Sequence, residues 1–410
     1  MASINITSDD EVRLIEQLET KTDAESLRIK RYLAMPDLSR TEGSPLKAVI
    51  DAVKQTETFK NFDDIKIPEI ISTHILFDLF GFAPNHVARS KSDTYYVDDQ
   101  NVLRTHDTVM WYYYLNSPEV KQRIQKGESV GVICYGKVFR KDEIDRHHMN
   151  IFHQFGGLYL VPDSKQVLVL DDLKNALADA AKSIFGQNVK YRFNKDEFPY
   201  TDPSLEMEIE VNPVGESKDK LKSNGIENHS SSKKSSTETF SDGVNGKWIE
   251  MLGGGMPKKE VLKNFGVEGY NGWAFGFGLE RMAMVSMELP DIRLLWSEDE
   301  RVKKQLKLGQ KFVEVSKYPQ ITRDISFIVS KEFIPNNYFD LVRDIAGDMI
   351  EQVELLDKYE NAEKFGANKI SYTYRVIYRR PDRTLKSEEV DPLQIKLYEQ
   401  TKAQFNAELR

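Results

Sequence analysis

Apolar positions recur at three-to-four spacings near the N-terminus and at alternate positions through the middle of the chain, and that change of period organises the sequence. Val12, Leu14, Ile15, Leu18 and Leu27 predict an amphipathic helix over 9–34, an N-terminal packing element or a partner-binding arm. Leu46, Val49, Ile50 and Val53 predict another over 45–58. Ile65, Ile67, Pro68 and Ile70 predict a strand over 63–71, where proline cannot donate to a ladder and so demands an edge, a bulge or an interface. Strand-like runs follow at 130–139, 151–161, 166–170 and 206–211, with one helix at 172–185. Strand character resumes at 248–252, Gly253–Gly255 reads as a triple-glycine turn, and Gly272–Gly278 enters a helix over 279–287. Many strands with few helices favour an antiparallel α+β arrangement over a doubly wound sheet.

A charged helix is predicted at 299–310. Beyond it come a strand (325–329), a helix (339–350), two strands (353–359 and 369–378) and a helix (392–409). This βαββα order suits a ferredoxin-like sandwich that lacks or hides one strand. The stretch 215–245 is rich in Ser, Lys, Glu and Asn and nearly free of large apolar residues, so it is expected to be a disordered insertion between two strands.

Hydrophobic residues make up 40% of the chain, enough for real cores, and exclude wholesale disorder. Lys and Arg number 57 against 65 acids, a net −8, which excludes a uniformly basic nucleic-acid binder but not a local basic face. The single cysteine, Cys134, rules out an intrachain disulfide framework and reads as a small core residue in the run Val130–Tyr135. No window approaches the roughly 18 apolar residues of a membrane span. The first residues lack both a signal-like apolar core and an Arg-rich, acid-poor character, so a cytoplasmic location is expected, with the mitochondrial matrix as the alternative for a mature form.

Three segments could carry chemistry. Phe139–Gln154, FRKDEIDRHHMNIFHQ, reads as a strand–loop–strand. Arg140 offers a fork for phosphate or carboxylate, His148 a second donor, and Phe152 a surface for stacking on a base. A charged hairpin tip is the bland alternative, and a His/His/Asp metal site a third, weakened by the adjacency of the two histidines. In Gly272–Met284, GWAFGFGLERMAM, glycines permit close backbone approach and Arg281 projects from a first helical turn; tight strand–helix packing needs the same glycines. Phe198–Ser204, FPYTDPS, places two prolines and two aromatics in a loop that could wall a pocket or pack on the core.

Together these segments resemble motifs 2 and 3 of class II aminoacyl-tRNA synthetases, with Pro68 suiting motif 1. FAPNHVARSKSDTYYV (82–97), LRTHDT (103–108), FRKDEID…FHQ (139–154), FPYTDPSLEMEI (198–209) and GWAFGFGLERMAM resemble the phenylalanyl-tRNA synthetases. KYPQITRDISFIV (317–329) and DRTLKSEEV (382–390) resemble that family's ferredoxin-like anticodon-binding domain. The resemblance implies an N-terminal helical arm (1–40), an antiparallel-sheet catalytic domain (41–298), a linker helix (299–311) and an anticodon-binding domain (312–410). One polypeptide carrying both domains resembles the single-chain organellar type, expected to act as a monomer.

The resemblance implies ATP-dependent activation of phenylalanine with magnesium, then transfer to the terminal ribose of tRNA(Phe). Arg140 would hold the α-phosphate and the carboxylate, and His148 the distal phosphates. Phe152 and Arg281 would sandwich adenine, Asp142 would read its amino edge, and Glu280 would bind magnesium or orient the loop. His106, Thr108 and Gln154 fall where the family fixes the ammonium and carboxylate groups. Phe198 and Tyr200 would wall the pocket and Ala274 would floor it. Arg375, Arg379, Arg380, Arg383 and Lys386 concentrate positive charge for tRNA, or form a solvated strand end.

Three positions depart from the family pattern. HQ-x-E becomes His153-Gln154-Phe155-Gly156, which removes the Glu that faces the substrate ammonium; Asp107 and Glu206 are the candidates to compensate. Trp111 stands where Gln is common, and Tyr200 replaces the second Phe of FPF. These changes allow an altered amino-acid preference. A synthetase-like RNA-binding protein without activity is the non-enzyme alternative, and retention of Arg140, Phe152 and Arg281 argues against it.

Overall fold

A computed structural model describes residues 2–143, 145–211, 247–314, 318–380 and 382–410; the expected insertion at 215–245 lies outside the described residues. Along the chain the strands are β1 Ser3–Asn5, β2 Asp63–Lys66, β3 Ile70–Ser72, β4 Asn101–Leu103, β5 Val130–Phe139, β6 Ile151–Pro162 and β7 Tyr191–Phe198. They continue with β8 Thr201–Val211, β9 Lys247–Pro257, β10 Tyr270–Gly278, β11 Ile321–Ser330, β12 Ile350–Tyr359, β13 Lys369–Tyr378 and β14 Glu408–Leu409. The fold is α+β.

The large sheet has the order β1-β2-β5-β6-β10-β9-β8-β7. Its first two pairings are parallel and the others antiparallel. Alternation sorts its side chains onto two faces. Ile133, Phe155, Phe275 and Phe277 pack under Val49, Ile50 and Val53 of helix Pro45–Lys54 and Leu173 and Leu177 of helix Leu170–Phe185. Leu158 and Ala274 face the opposite core, with Phe77, Phe80 and Trp111. Cys134 is buried there too, as expected of a small core residue, and burial pushes its thiol up to about 12.

The second sheet, β12-β13-β11-β14, is antiparallel throughout and completes a βαββαβ sandwich with helices Pro335–Ala346 and Ser387–Phe405. Its hidden strand is β14: the predicted final helix stops at Phe405, Asn406 turns in the left-handed region, and Glu408–Leu409 pair with Phe327–Ile328.

Several elements differ from the sequence reading. The expected helix 9–34 is two helices, Asp9–Glu19 and Ala24–Ala34, because the Asp23 side chain accepts from the Ser26 N–H and starts a new helix. Leu14 and Leu18 are buried, while Val12, Ile15 and Leu27 are exposed. The arm is not purely helical, since β1 joins the large sheet. The strand expected at 63–71 splits around Pro68 into β2 and β3. Residues 166–170 form no strand and run into the helix that starts at Leu170. The charged helix at 299–310 shrinks to Glu300–Lys303. β7 went unread because alternating charges mask its pattern.

Gly253–Gly255 is not a turn. It lies inside β9, between β8 and β10, where a Cβ on Gly254 would sit 2.6 Å from the Ala274 carbonyl oxygen.

The two sheets meet through helix Pro335–Ala346. Fully buried Asp340 accepts from Tyr95 Oη (2.7 Å) and Asn150 Nδ2 (3.0 Å) and lies 3.6 Å from Arg28. Arg343 donates to the carbonyls of Asp142 (3.3 Å) and Glu143 (2.7 Å), and Asn336 donates to those of Ser92 (2.9 Å) and Lys141 (3.2 Å).

Candidate active site

The open face of the large sheet is floored by alternate residues of two adjacent strands. In β6 these are Phe152, Gln154 and Gly156. In β10 they are Ala274, Gly276 and Gly278, with Gly276 opposite Gly156 and Gly278 opposite Gln154. Glycines keep this floor low. Turns and helices from residues 77–111 and 198–200 rise around it.

Arg140 follows β5. Its N–H donates to the Asn150 carbonyl and its Nε to the Thr105 carbonyl, both at 2.9 Å, and its guanidinium lies over the Phe152 ring, 5.1 Å from the centroid. Its side chain opens to solvent at the mouth of the site; crowding by protein lowers its guanidinium below the usual value, yet an arginine keeps its charge at neutral pH. His148 bonds through Nδ1 to Asp145 Oδ2 at 2.8 Å, and Asp145 Oδ1 accepts from the His147 and His148 N–H groups. Against the upward push of burial, these bonds and His148 hold the Asp145 carboxyl below its ordinary range. Asp142 Oδ1 accepts from the Glu143 N–H at 2.8 Å.

Phe152 thus meets Arg140 on one face. Arg281 donates to the Glu250 carbonyl of β9 at 3.0 Å. Glu280 is 3% exposed, and both its oxygens accept from the His153 N–H (3.0 and 2.8 Å). The His153 ring accepts from the Leu38 N–H at Nε2, so Nδ1 carries the proton that bonds Glu280 at 2.7 Å. Glu280 thereby ties the start of its helix to β6. Among the described residues no three His, Cys, Asp or Glu side chains gather to hold a metal ion.

Next to Arg140 and His148 lies an aromatic cage. The His106 ring stacks on Phe82 (5.8 Å, 13°) and on Tyr200 (6.2 Å, 27°); Phe80 and Trp111 close it through Tyr200, and Phe198 stacks on Tyr200 at 5.9 Å. Burial raises the Tyr200 hydroxyl and nearby Thr108 draws it back down, and Ala274 is buried in the core beneath. His106 has no partner for either ring nitrogen, and burial, helped by Arg140, drives its pKa down to about 3, so it is neutral. Gln154 Oε1 accepts from the Asp107 N–H at 3.0 Å, which ties the cage to β6. Asp107, read only as a candidate, reaches Gly156, while Glu206 accepts from Asn194 on β7.

The cations of the second sheet are not an unpaired patch. Arg375 makes two 2.8 Å bonds to Asp324, Arg379 lies 2.8 Å from Glu351, and Arg383 forms a two-pronged pair with Glu389. Arg379 lies just beyond the end of β13. Arg380 is half-buried and Lys386 exposed. Asp145, Asn150 and His153 went unread; extending strand alternation back from Gln154 would have separated the inward His153 from the site-facing Phe152.

Residues 31–306 match the family described as tRNA synthetases class II core domain (F), and residues 316–410 the ferredoxin-fold anticodon binding domain. The chain is 36% identical over 363 residues to the phenylalanine–tRNA ligase, chloroplastic/mitochondrial, of Arabidopsis thaliana, covering 86% of this chain and 73% of that protein. It is 30% identical over 424 residues to a probable mitochondrial phenylalanine–tRNA ligase of Drosophila melanogaster (90% and 80% covered). Identity is 28% to the mitochondrial phenylalanine–tRNA ligase of Saccharomyces cerevisiae, across 97% and 94% of the two chains.

Proposed function

Because the chain belongs to the phenylalanine–tRNA ligases of class II, we propose that the cleft between Arg140 and the aromatic cage performs both halves of that reaction. The phenylalanine carboxylate attacks the α-phosphorus of ATP. A carboxyl–phosphate bond forms, the bond to the β,γ-phosphates breaks, and pyrophosphate leaves. The terminal ribose hydroxyl of tRNA(Phe) then attacks the activated carbonyl carbon, and AMP departs.

The observation that carries this reading is the anchored Arg140. Held by the Thr105 carbonyl and lying over Phe152, it presents a fixed charge where a carboxylate and a phosphate must meet. A preorganised cation of this kind acts on charge that develops in the transition state. His148, braced by Asp145, would reach the distal phosphates. Adenine would lie against Phe152 with Arg281 on its outer side and Asp142 at its amino edge. His106, Thr108 and Gln154 would frame the amino-acid head group, with Phe198, Tyr200 and Ala274 around its ring.

Class II synthetases generally use ATP and magnesium; here the metal would arrive on the nucleotide phosphates. The second sheet would receive the tRNA, with Arg375, Arg379, Arg380, Arg383 and Lys386 as its cationic groups. The enzyme would act as a monomer. The organellar names of the relatives support the mitochondrial location over the cytoplasmic one expected from the sequence. No helix among the described residues is long and apolar enough to cross a membrane.

Amino-acid-dependent ATP–pyrophosphate exchange tests the activity. Exchange with phenylalanine is expected. Exchange with another amino acid alone would move the substrate, and none with any would overturn the ligase reading.

A further inference from the structure

Asp107 begins a short turn directly after His106, and its carboxylate is 3% exposed. A buried carboxylate in a native fold normally has hydrogen-bond or ion-pair partners. Here Oδ2 has none. Arg104 donates to the carbonyls of Lys137 (2.6 Å) and Ile67 (3.3 Å), and Arg140 donates through Nε to that of Thr105. The carboxylate rests above two glycines that face each other on β6 and β10. A Cβ on Gly156 would lie 2.4 Å from Oδ2, and one on Gly276 would lie 3.4 Å from Oδ1. Position 156 therefore stays a glycine for Asp107 to occupy this place. The Asp107 N–H bond to Gln154 fixes the turn. Asp107 also lies close enough to Tyr200 and Arg140 to perturb both electrostatically.

An unpaired acid beside a fixed arginine and an aromatic cage is complementary to a zwitterion with an aromatic side chain. We infer that Asp107 receives the ammonium group of the substrate amino acid, acting from the His106 turn across the space left open by Gly156. This assignment rests on the ligase reading above. In it Asp107 is a specificity-determining residue: it distinguishes an α-amino acid from the same acid without its ammonium group.

The test uses the full-length protein, its Asp107→Asn variant and two inhibitors of phenylalanine-dependent exchange. One is 2-phenylethylamine, which keeps the ammonium and lacks the carboxylate; the other is 3-phenylpropionate, which does the reverse. Loss of one charge-assisted hydrogen bond predicts a 10- to 100-fold rise in the phenylalanine KM. The 2-phenylethylamine Ki should rise by a similar factor, with the 3-phenylpropionate Ki and the ATP KM within about threefold of the parent. A phenylalanine KM within twofold of the parent, or equal weakening of both inhibitors, would overturn the assignment. If Asp107→Asn does not fold, the double variant Asp107→Ala/Gly156→Glu returns an acid from the opposite side. Recovered inhibition by 2-phenylethylamine supports the assignment, and inhibition by 3-phenylpropionate alone overturns it. Absence of phenylalanine exchange in the unaltered protein would instead sink the ligase reading.

Discussion

The Tyr95 hydroxyl donates to Asp340 Oδ1 at 2.7 Å, joining the turn before β4 to a helix of the second sheet, and Asn150 donates to the same oxygen. Burial raises the Asp340 carboxyl, while Arg28, Tyr95 and Arg343 pull it down. The acid is therefore buried at a cost that its partners offset, and removing it leaves Arg28 and Asn150 facing a void. Asp340→Ala should lower stability by about 3–5 kcal/mol, the usual cost of breaking a buried charged cluster. Because the Asn150 carbonyl also holds the Arg140 N–H, the ATP KM should rise in the same variant. Urea unfolding and exchange kinetics check both; an unchanged unfolding midpoint would show the cluster to be idle.

Glu280 separates an orienting role from a metal-binding one. Glutamine keeps two acceptor lone pairs for the His153 ring and backbone N–H groups, whereas alanine leaves both unsatisfied inside the fold. Glu280→Gln should retain exchange within about threefold and show an unchanged magnesium titration. Glu280→Ala should lose about 1–3 kcal/mol of stability. A shifted magnesium titration in Glu280→Gln would assign the carboxylate to the metal instead.

The legibility of the fold followed the strength of local signals. The bounds of β5 and β13 and of helix Leu279–Met287 are plain in the sequence because their apolar runs are long and end in breakers or charge. β14 is two residues long, and its pairing with β11 depends on a turn at Asn406 that no periodicity marks. The triple glycine misleads because glycine signals both turns and close strand packing, and only the Ala274 carbonyl above Gly254 distinguishes them. At the site, residue types and motif order bring Arg140, Phe152 and His106 into view. Their partners Asp145, His153 and Asn150 bond across turns or between strands, and those contacts have no linear signature.

The paired arginines of the second sheet call for neutral substitutions. Reversing Arg383 would set two acids against each other at the start of helix Ser387–Phe405, where Glu389 also accepts from the Lys386 N–H. Arg379→Gln with Arg383→Gln should weaken tRNA charging several-fold and spare phenylalanine-dependent exchange. Salt titration of tRNA binding should show a shallower slope in the variant, by about 0.9 for each phosphate no longer neutralised. Equal losses in charging and exchange would mean that these ion pairs hold the domain together and do not touch RNA.

Asp107 and His106 are adjacent, yet they titrate in opposite senses. Burial pushes the Asp107 carboxyl up to about 7, against the pull of Arg104 and Arg140, and drives His106 down to about 3. For Asp107 the folded value exceeds the unfolded one of about 4, so its contribution to stability is full below pH 4 and is lost as pH rises through 7. For His106 the folded value lies below the unfolded 6.5, so its contribution is full above that pH and is lost as pH falls toward 3. The two oppose each other between pH 4 and 6.5, and above 6.5 only the Asp107 loss remains. Free protein should therefore lose on the order of 1–4 kcal/mol from Asp107 across the whole window, with a visible decline between pH 6.5 and 8. Saturating phenylalanine should flatten that decline by supplying a cation, and Asp107→Asn should flatten it without the ligand. Urea midpoints at half-unit pH steps, with and without phenylalanine, measure all three curves. A decline that persists unchanged in Asp107→Asn would place its source at another group.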